Sequence, residues 1–169
     1  MKKLTLFDFD NTLVRTSARI KIKDANNITV HWLKNLGDYK LKDGETIDFS
    51  DFETESVLQF ARPLALLEKL RDLVNKQECV GILSARSSFE IIHRYLETQG
   101  ITIDISKIFT INNPMWNLEG NNCVRKRKMI EMLIKDSDIT HVEVYDDDVN
   151  NLLEISKIES TVDIKTILV

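Results

Sequence analysis

Short apolar runs alternate with amphipathic helical patterns along most of this 169-residue chain. That alternation narrows the possible folds more than any other feature. Residues 4–7, 80–83, 108–111, 141–145 and 164–169 read as strands. Leu64, Leu66, Leu67, Leu70, Leu73 and Val74 recur at helical spacing, with Pro63 suited to a first helical turn. Phe89, Ile91, Ile92, Tyr95 and Leu96 do the same, and Gly100 reads as a stop. Met129, Ile130, Leu133 and Ile134 form a third pattern, and Leu152, Leu153 and Ile155 a fourth. Strands alternating with helices predict an α/β fold, a three-layer Rossmann-like core with a central parallel sheet.

The first strand ends in an unusual way. The run from Leu4 to Phe7 passes into Asp8-Phe-Asp10-Asn11-Thr12-Leu13. Carboxylates at the edge of a core are costly unless a cation or hydrogen bonds offset their desolvation. Strand alternation points Asp8 and Asp10 the same way. The fourth strand ends Val144-Tyr-Asp146-Asp147-Asp148, three carboxylates that repel one another unless positive charge lies among them. Acidic turns at strand ends are the structural alternative. Two such ends on parallel strands point instead to a shared Mg²⁺, held by carboxylates, waters and a substrate phosphate.

Two further segments fit phosphate chemistry. The second strand ends Leu83-Ser84-Ala85-Arg86, where a hydroxyl can donate to a phosphoryl oxygen and Arg86 can grip phosphate bidentately. Ser84 is equally suited to capping the next helix. Arg125-Lys126-Arg127-Lys128 opens a helix, and one of its lysines would neutralise a crowded acidic site. Lys126, three residues before Met129, fits better than Lys128, and both stay open.

Composition excludes several functions. A net charge of −4 disfavours broad nucleic-acid binding while permitting a local basic groove. Two separated cysteines and three scattered histidines form neither a disulfide framework nor a zinc site. No apolar run reaches membrane-spanning length, so a soluble, cytoplasmic protein is expected.

Residues 14–61 break the strand–helix rhythm and are too long for an ordinary connection. They read as a small inserted subdomain, with the core at 1–13 and 62–169. Arg15, Arg19, Lys21 and Lys23 precede Trp32 there. A basic run with an aromatic suits a nucleotide, but a solvated face with Trp32 in the insert's own core is the favoured reading. Trp116, in the loop after the third strand, is placed either as a substrate contact or as a loop anchor.

The ordered set Asp8-Phe-Asp10-Asn-Thr12, Ser84-Ala-Arg86, the Lys126/Lys128 helix and Asp146-Asp147 resembles the four motifs of the haloacid dehalogenase (HAD) superfamily of phosphohydrolases. The Tyr145-Asp-Asp-Asp-x-x-Asn151 ending is similar to the subgroup with polynucleotide 3′-phosphatases and small phage phosphatases. Leu41-x-x-Gly44 and Asp48-Phe-Ser-Asp-Phe52 resemble segments of uncharacterised tailed-phage proteins, which would place the chain in a host cytoplasm.

The resemblance implies a mechanism. Asp8 would attack phosphorus and form an aspartyl-phosphate. Asp10 would protonate the leaving oxygen and then activate water. Ser84 and Lys126 would hold the phosphoryl group, and Thr12 would orient the loop. Asn11, Arg86 and Trp116 are the candidate substrate contacts. Asp8, the Asp10 carbonyl, Asp146 and Asp147 would hold Mg²⁺, and residues 14–61 would be a cap. Asp148 stands where polynucleotide phosphatases often carry Arg, which weakens a nucleic-acid substrate. The expected partner is a phosphorylated small molecule or nucleic-acid end. The rival readings are a non-catalytic nucleic-acid or protein binding module on the same fold, and a receiver-like phosphoacceptor.

Overall fold

The computed structural model describes residues 2–34, 39–135 and 137–169. In chain order the elements are β1 (Lys2–Phe7), β2 (Val14–Arg15), β3 (Ile20–Lys23), β4 (Thr29–Leu33), β5 (Thr46–Asp48), α1 (Ser56–Gln59), β6 (Arg62–Pro63), α2 (Ala65–Asn75), β7 (Val80–Ser84), α3 (Phe89–Thr98), β8 (Ile108–Thr110), α4 (Asn122–Ile134), β9 (Ile139–Asp146), α5 (Val149–Ile155) and β10 (Asp163–Leu168). They form two compact units, Met1–Arg15 with Arg62–Val169, and Thr16–Ala61. The boundary falls two residues later than the sequence suggests because Val14 and Arg15 pair antiparallel with Pro63 and Arg62, closing the stem of the insertion.

In the larger unit five parallel strands lie in the order β10-β9-β1-β7-β8. Alternation in β1 sends Leu4 and Leu6 to one face, where Met129 and Ile130 of α4 and Leu152 and Ile155 of α5 complete a buried cluster. Phe7 belongs to the other face and stacks on Tyr145 with ring centroids 4.9 Å apart. Lys69 of α2 lies over that Tyr145 ring, so helices cover both faces. Central β7 is buried along its whole length.

One local expectation changes and another holds. Pro63 lies in β6 rather than in the first turn of α2, whose N-cap is Leu64. Pairing with Val14 holds it extended, a conformation proline accepts at a two-strand edge. Gly100 does end α3: its φ is +68°, its N–H bonds to Glu97 O, and Ile101 N bonds to Leu96 O.

The smaller unit is built on an antiparallel sheet ordered β4-β3-β5. Ile20 and Ile22 are buried, while alternate Lys21 and Lys23 pair with Asp51 at 2.6 Å and Asp48 at 2.7 Å. Trp32 is 59% exposed and is not part of a core there. It sits opposite Lys21 in the β3–β4 register, and the Lys21 ammonium covers its ring.

Candidate active site

The strand order reverses at β1, whose neighbours are β7 on one side and β9 on the other. Open parallel sheets leave a crevice at such a reversal, beyond the carboxyl ends of the strands. Asp8 follows β1 and Asp146 ends β9 at that crevice. Their alignment is set by the register, which pairs Phe7 with Tyr145 and continues through a bond from Asp8 N to Tyr145 O at 2.8 Å.

Beyond Asp8 the chain turns tightly. Leu13 N and Val14 N both bond to Phe9 O, and Asn11 adopts a φ of +61°, a conformation asparagine tolerates better than most residues. Asn11 is exposed at the tip of this turn. Thr12 is buried, and its Oγ1 has no hydrogen-bond partner among the described residues.

Lys126 extends the apolar stripe of α4, one turn before Met129 and Ile130, and is therefore carried inward. It is 1% exposed. Its ammonium donates to Asp8 Oδ1 at 2.8 Å and to Asp146 Oδ2 at 2.6 Å. Lys128 instead donates to the Glu119 carbonyl, away from the carboxylates. Asp8, Asp146 and Asp147 offer carboxylate oxygens that all lie within 4.8 Å of one another. Oxygen donors of this kind suit a hard dication such as Mg²⁺, so the residues fit the metal that the resemblance implies.

Two acidic groups thus share one buried ammonium, with Asp147 close beside them. Burial pushes the Asp8 carboxyl up to about 8 and Asp146 adds to this, while Lys126 works against it. Desolvation acts to lower the Lys126 ammonium, but Asp8 and Asp146 outweigh it and hold it well above its ordinary value. Asp147, at the rim, is also raised, by desolvation and then by Asp146.

Sequence reasoning gave Asn151 no role beyond its place in a motif. Its Nδ2 donates to both Asp146 oxygens, at 2.9 and 3.1 Å, from the first turns of α5. An asparagine five residues after a strand-end aspartate, inside a helix start, was the available signal. Asp148 caps that helix by accepting from Asn150 N, which gives this third carboxylate a structural task.

One expectation is revised, and two readings left open are narrowed. Arg86 does not reach outward for phosphate: it is 2% exposed and forms a bidentate pair with Asp10, from Nε to Oδ2 at 2.8 Å and from Nη2 to Oδ1 at 2.9 Å. Placing this planar fork beside a carboxylate offsets the cost of burying it. Ser84 does not cap α3, since that role falls to Ser88, whose side chain accepts from Ile91 N. Ser84 is instead buried at the end of β7, where its Oγ accepts from Arg86 N. Trp116 is half-buried, packed on the core beside Phe109 with ring centroids 6.3 Å apart. That packing gives it an anchoring place in the loop rather than a free ring face.

Comparison with protein-family models, with curated proteins and with solved structures finds no match to this chain. Among the described residues no helix is long and apolar enough to cross a membrane.

Proposed function

We propose that this protein is a Mg²⁺-dependent phosphomonoesterase of the HAD type, working through an aspartyl-phosphate on Asp8. The observation that carries this reading is the meeting of Asp8 and Asp146 on the buried Lys126 ammonium at the sheet's switch point, with the Asp147 carboxylate beside them. Asp8, Asp146, Asp147 and the Asp10 carbonyl would hold Mg²⁺, which supplies positive charge opposite the phosphoryl oxygens. On this reading the insertion Thr16–Ala61 would be the cap that the resemblance implies.

The residues divide the work. An Asp8 oxygen bonds to phosphorus as the bond to the leaving oxygen breaks, and Asp10 gives that oxygen a proton. Water then attacks the aspartyl-phosphate, returning a proton to Asp10 and releasing inorganic phosphate. Lys126 keeps Asp8 oriented and offsets negative charge around the phosphoryl group. Ser84 and the Thr12 hydroxyl, unpartnered among the described residues, supply short polar groups near the same strand ends.

Motif resemblance at residues 145–151 supports a phosphate on a nucleotide or at a polynucleotide end. Phosphate release from nucleoside monophosphates, 3′-phosphorylated oligonucleotides and sugar phosphates tests that preference, and a sugar-phosphate preference removes it. The reaction itself is tested with an aryl phosphate and Mg²⁺. Wild-type turnover that Asp8→Asn abolishes supports it; no turnover across a broad phosphomonoester panel, or turnover indifferent to Asp8→Asn, refutes it.

A further inference from the structure

The Arg86–Asp10 pair has no counterpart in the roles given above. Arg86 is among the largest fully buried side chains, and its guanidinium lies over the Phe9 ring at 5.4 Å. Both Asp10 oxygens receive its donors in parallel, which sets the plane of that carboxylate as well as its position. The Arg86 backbone is itself anchored. Its N–H bonds to Ser84 Oγ, and Ala85 O accepts from Asn112 Nδ2 at 2.5 Å. Asn112 Oδ1 in turn accepts from Arg125 Nη1 on α4, the helix that carries Lys126. The loop after β7 therefore holds Arg86 relative to the same scaffold that holds Asp8.

Resting on the phosphomonoesterase reading, we propose that Arg86 is a positioning residue that acts through Asp10 on departure of the leaving group. As the phosphorus–oxygen bond breaks, the Asp10 proton passes to the leaving oxygen and the carboxyl becomes a carboxylate. The guanidinium fork fixes the plane of that group, and with it the direction in which Asp10 meets the leaving oxygen. A lysine supplies charge without a fork and cannot reproduce both bonds. The sequence alone suggested a phosphate grip for Arg86, and a phosphate grip would not distinguish one leaving group from another.

That difference is the test. An activated aryl phosphate releases a phenolate that needs no proton, whereas an alkyl phosphate releases an alkoxide that does. The quantity to compare is kcat/KM, which covers only the steps through transfer to Asp8. Arg86→Lys should lower kcat/KM on the alkyl phosphate by about tenfold or more beyond its effect on the aryl phosphate, because general acids contribute about 10²- to 10⁴-fold. Asp10→Asn should show the same selectivity, and adding Arg86→Lys to it should bring no further selective loss. Asn112→Ala, which loosens the loop without touching Asp10, should give a smaller loss of the same kind and decides the matter if Arg86→Lys does not fold.

Equal losses on both substrates for Arg86→Lys, or for Asn112→Ala where it must stand in, overturn the proposal. So does further selective loss in the double variant. These outcomes leave the phosphatase reading intact when the wild type is active. A wild type that turns over neither substrate ends both.

Discussion

Lys126 donates from Nζ to Asp8 Oδ1 at 2.8 Å across 118 positions of sequence. Removing one partner from a buried ionic group leaves an uncompensated charge and costs about 3–5 kcal/mol. Above about pH 8, where Asp8 is ionised, Lys126→Met should therefore lower the unfolding free energy in urea by about that amount, since Asp8 and Asp146 both lose their cation. Lys128→Met should change it by less than about 0.5 kcal/mol, as expected away from such features. Equal effects of the two variants would show that Lys126 carries no special load.

Asn151 steadies Asp146 through two bonds to its oxygens. Asn151→Leu should weaken Mg²⁺ binding by about 10–100-fold, as loss of an orienting hydrogen bond does at metal sites. Isothermal titration of both proteins with Mg²⁺ reads this directly. Unchanged affinity would remove Asn151 from the site.

The Asp8 carboxyl rises from an ordinary value of 3.8 to about 8 on folding, chiefly through burial. Between those values the folded chain binds more protons than the unfolded one. Its contribution to stability is thus full at low pH and lost as pH rises through the folded value. In EDTA the urea midpoint should fall from about pH 5 to about pH 8, and Asp8→Asn should flatten that slope. A midpoint that rises over the same range in EDTA would contradict the assignment.

Gly81 sits in the fully buried β7, where a Cβ would come within 2.9 Å of Phe109 Cε2, 3.0 Å of Lys107 O and 3.1 Å of Leu6 Cδ2. Its backbone needs no glycine for conformational reasons, so Gly81→Ala isolates the steric term. Overpacking of this kind costs about 1–3 kcal/mol. Thermal unfolding should show the loss, while Gly100→Ala should lose stability through its positive φ instead, because no atom lies near its Cβ.

The strands of the sheet and the helices between them were legible because each writes a period into the chain. Leu4 and Leu6 alternate with Thr5 and Phe7, and Met129, Ile130 and Leu133 mark one face of α4. Pro63 was misplaced because its partner Val14, in β2, lies 49 positions away and leaves no local trace. Trp32 was assigned to a core on hydrophobicity alone, yet the side of β4 it occupies faces Lys21 rather than Ile20 and Ile22.

At the site, residue types and order were readable: acidic strand ends, a hydroxyl, an arginine and a basic helix start. Local sequence determines such elements because periodicity and capping act over a few residues. Partner choice is different. Lys126 rather than Lys128, and Asp10 rather than a phosphate for Arg86, follow from which side chains the packed strands and helices bring within hydrogen-bond distance. Only the tertiary structure decided them, because a buried charge takes the opposite charge nearest in space, whatever its distance along the chain.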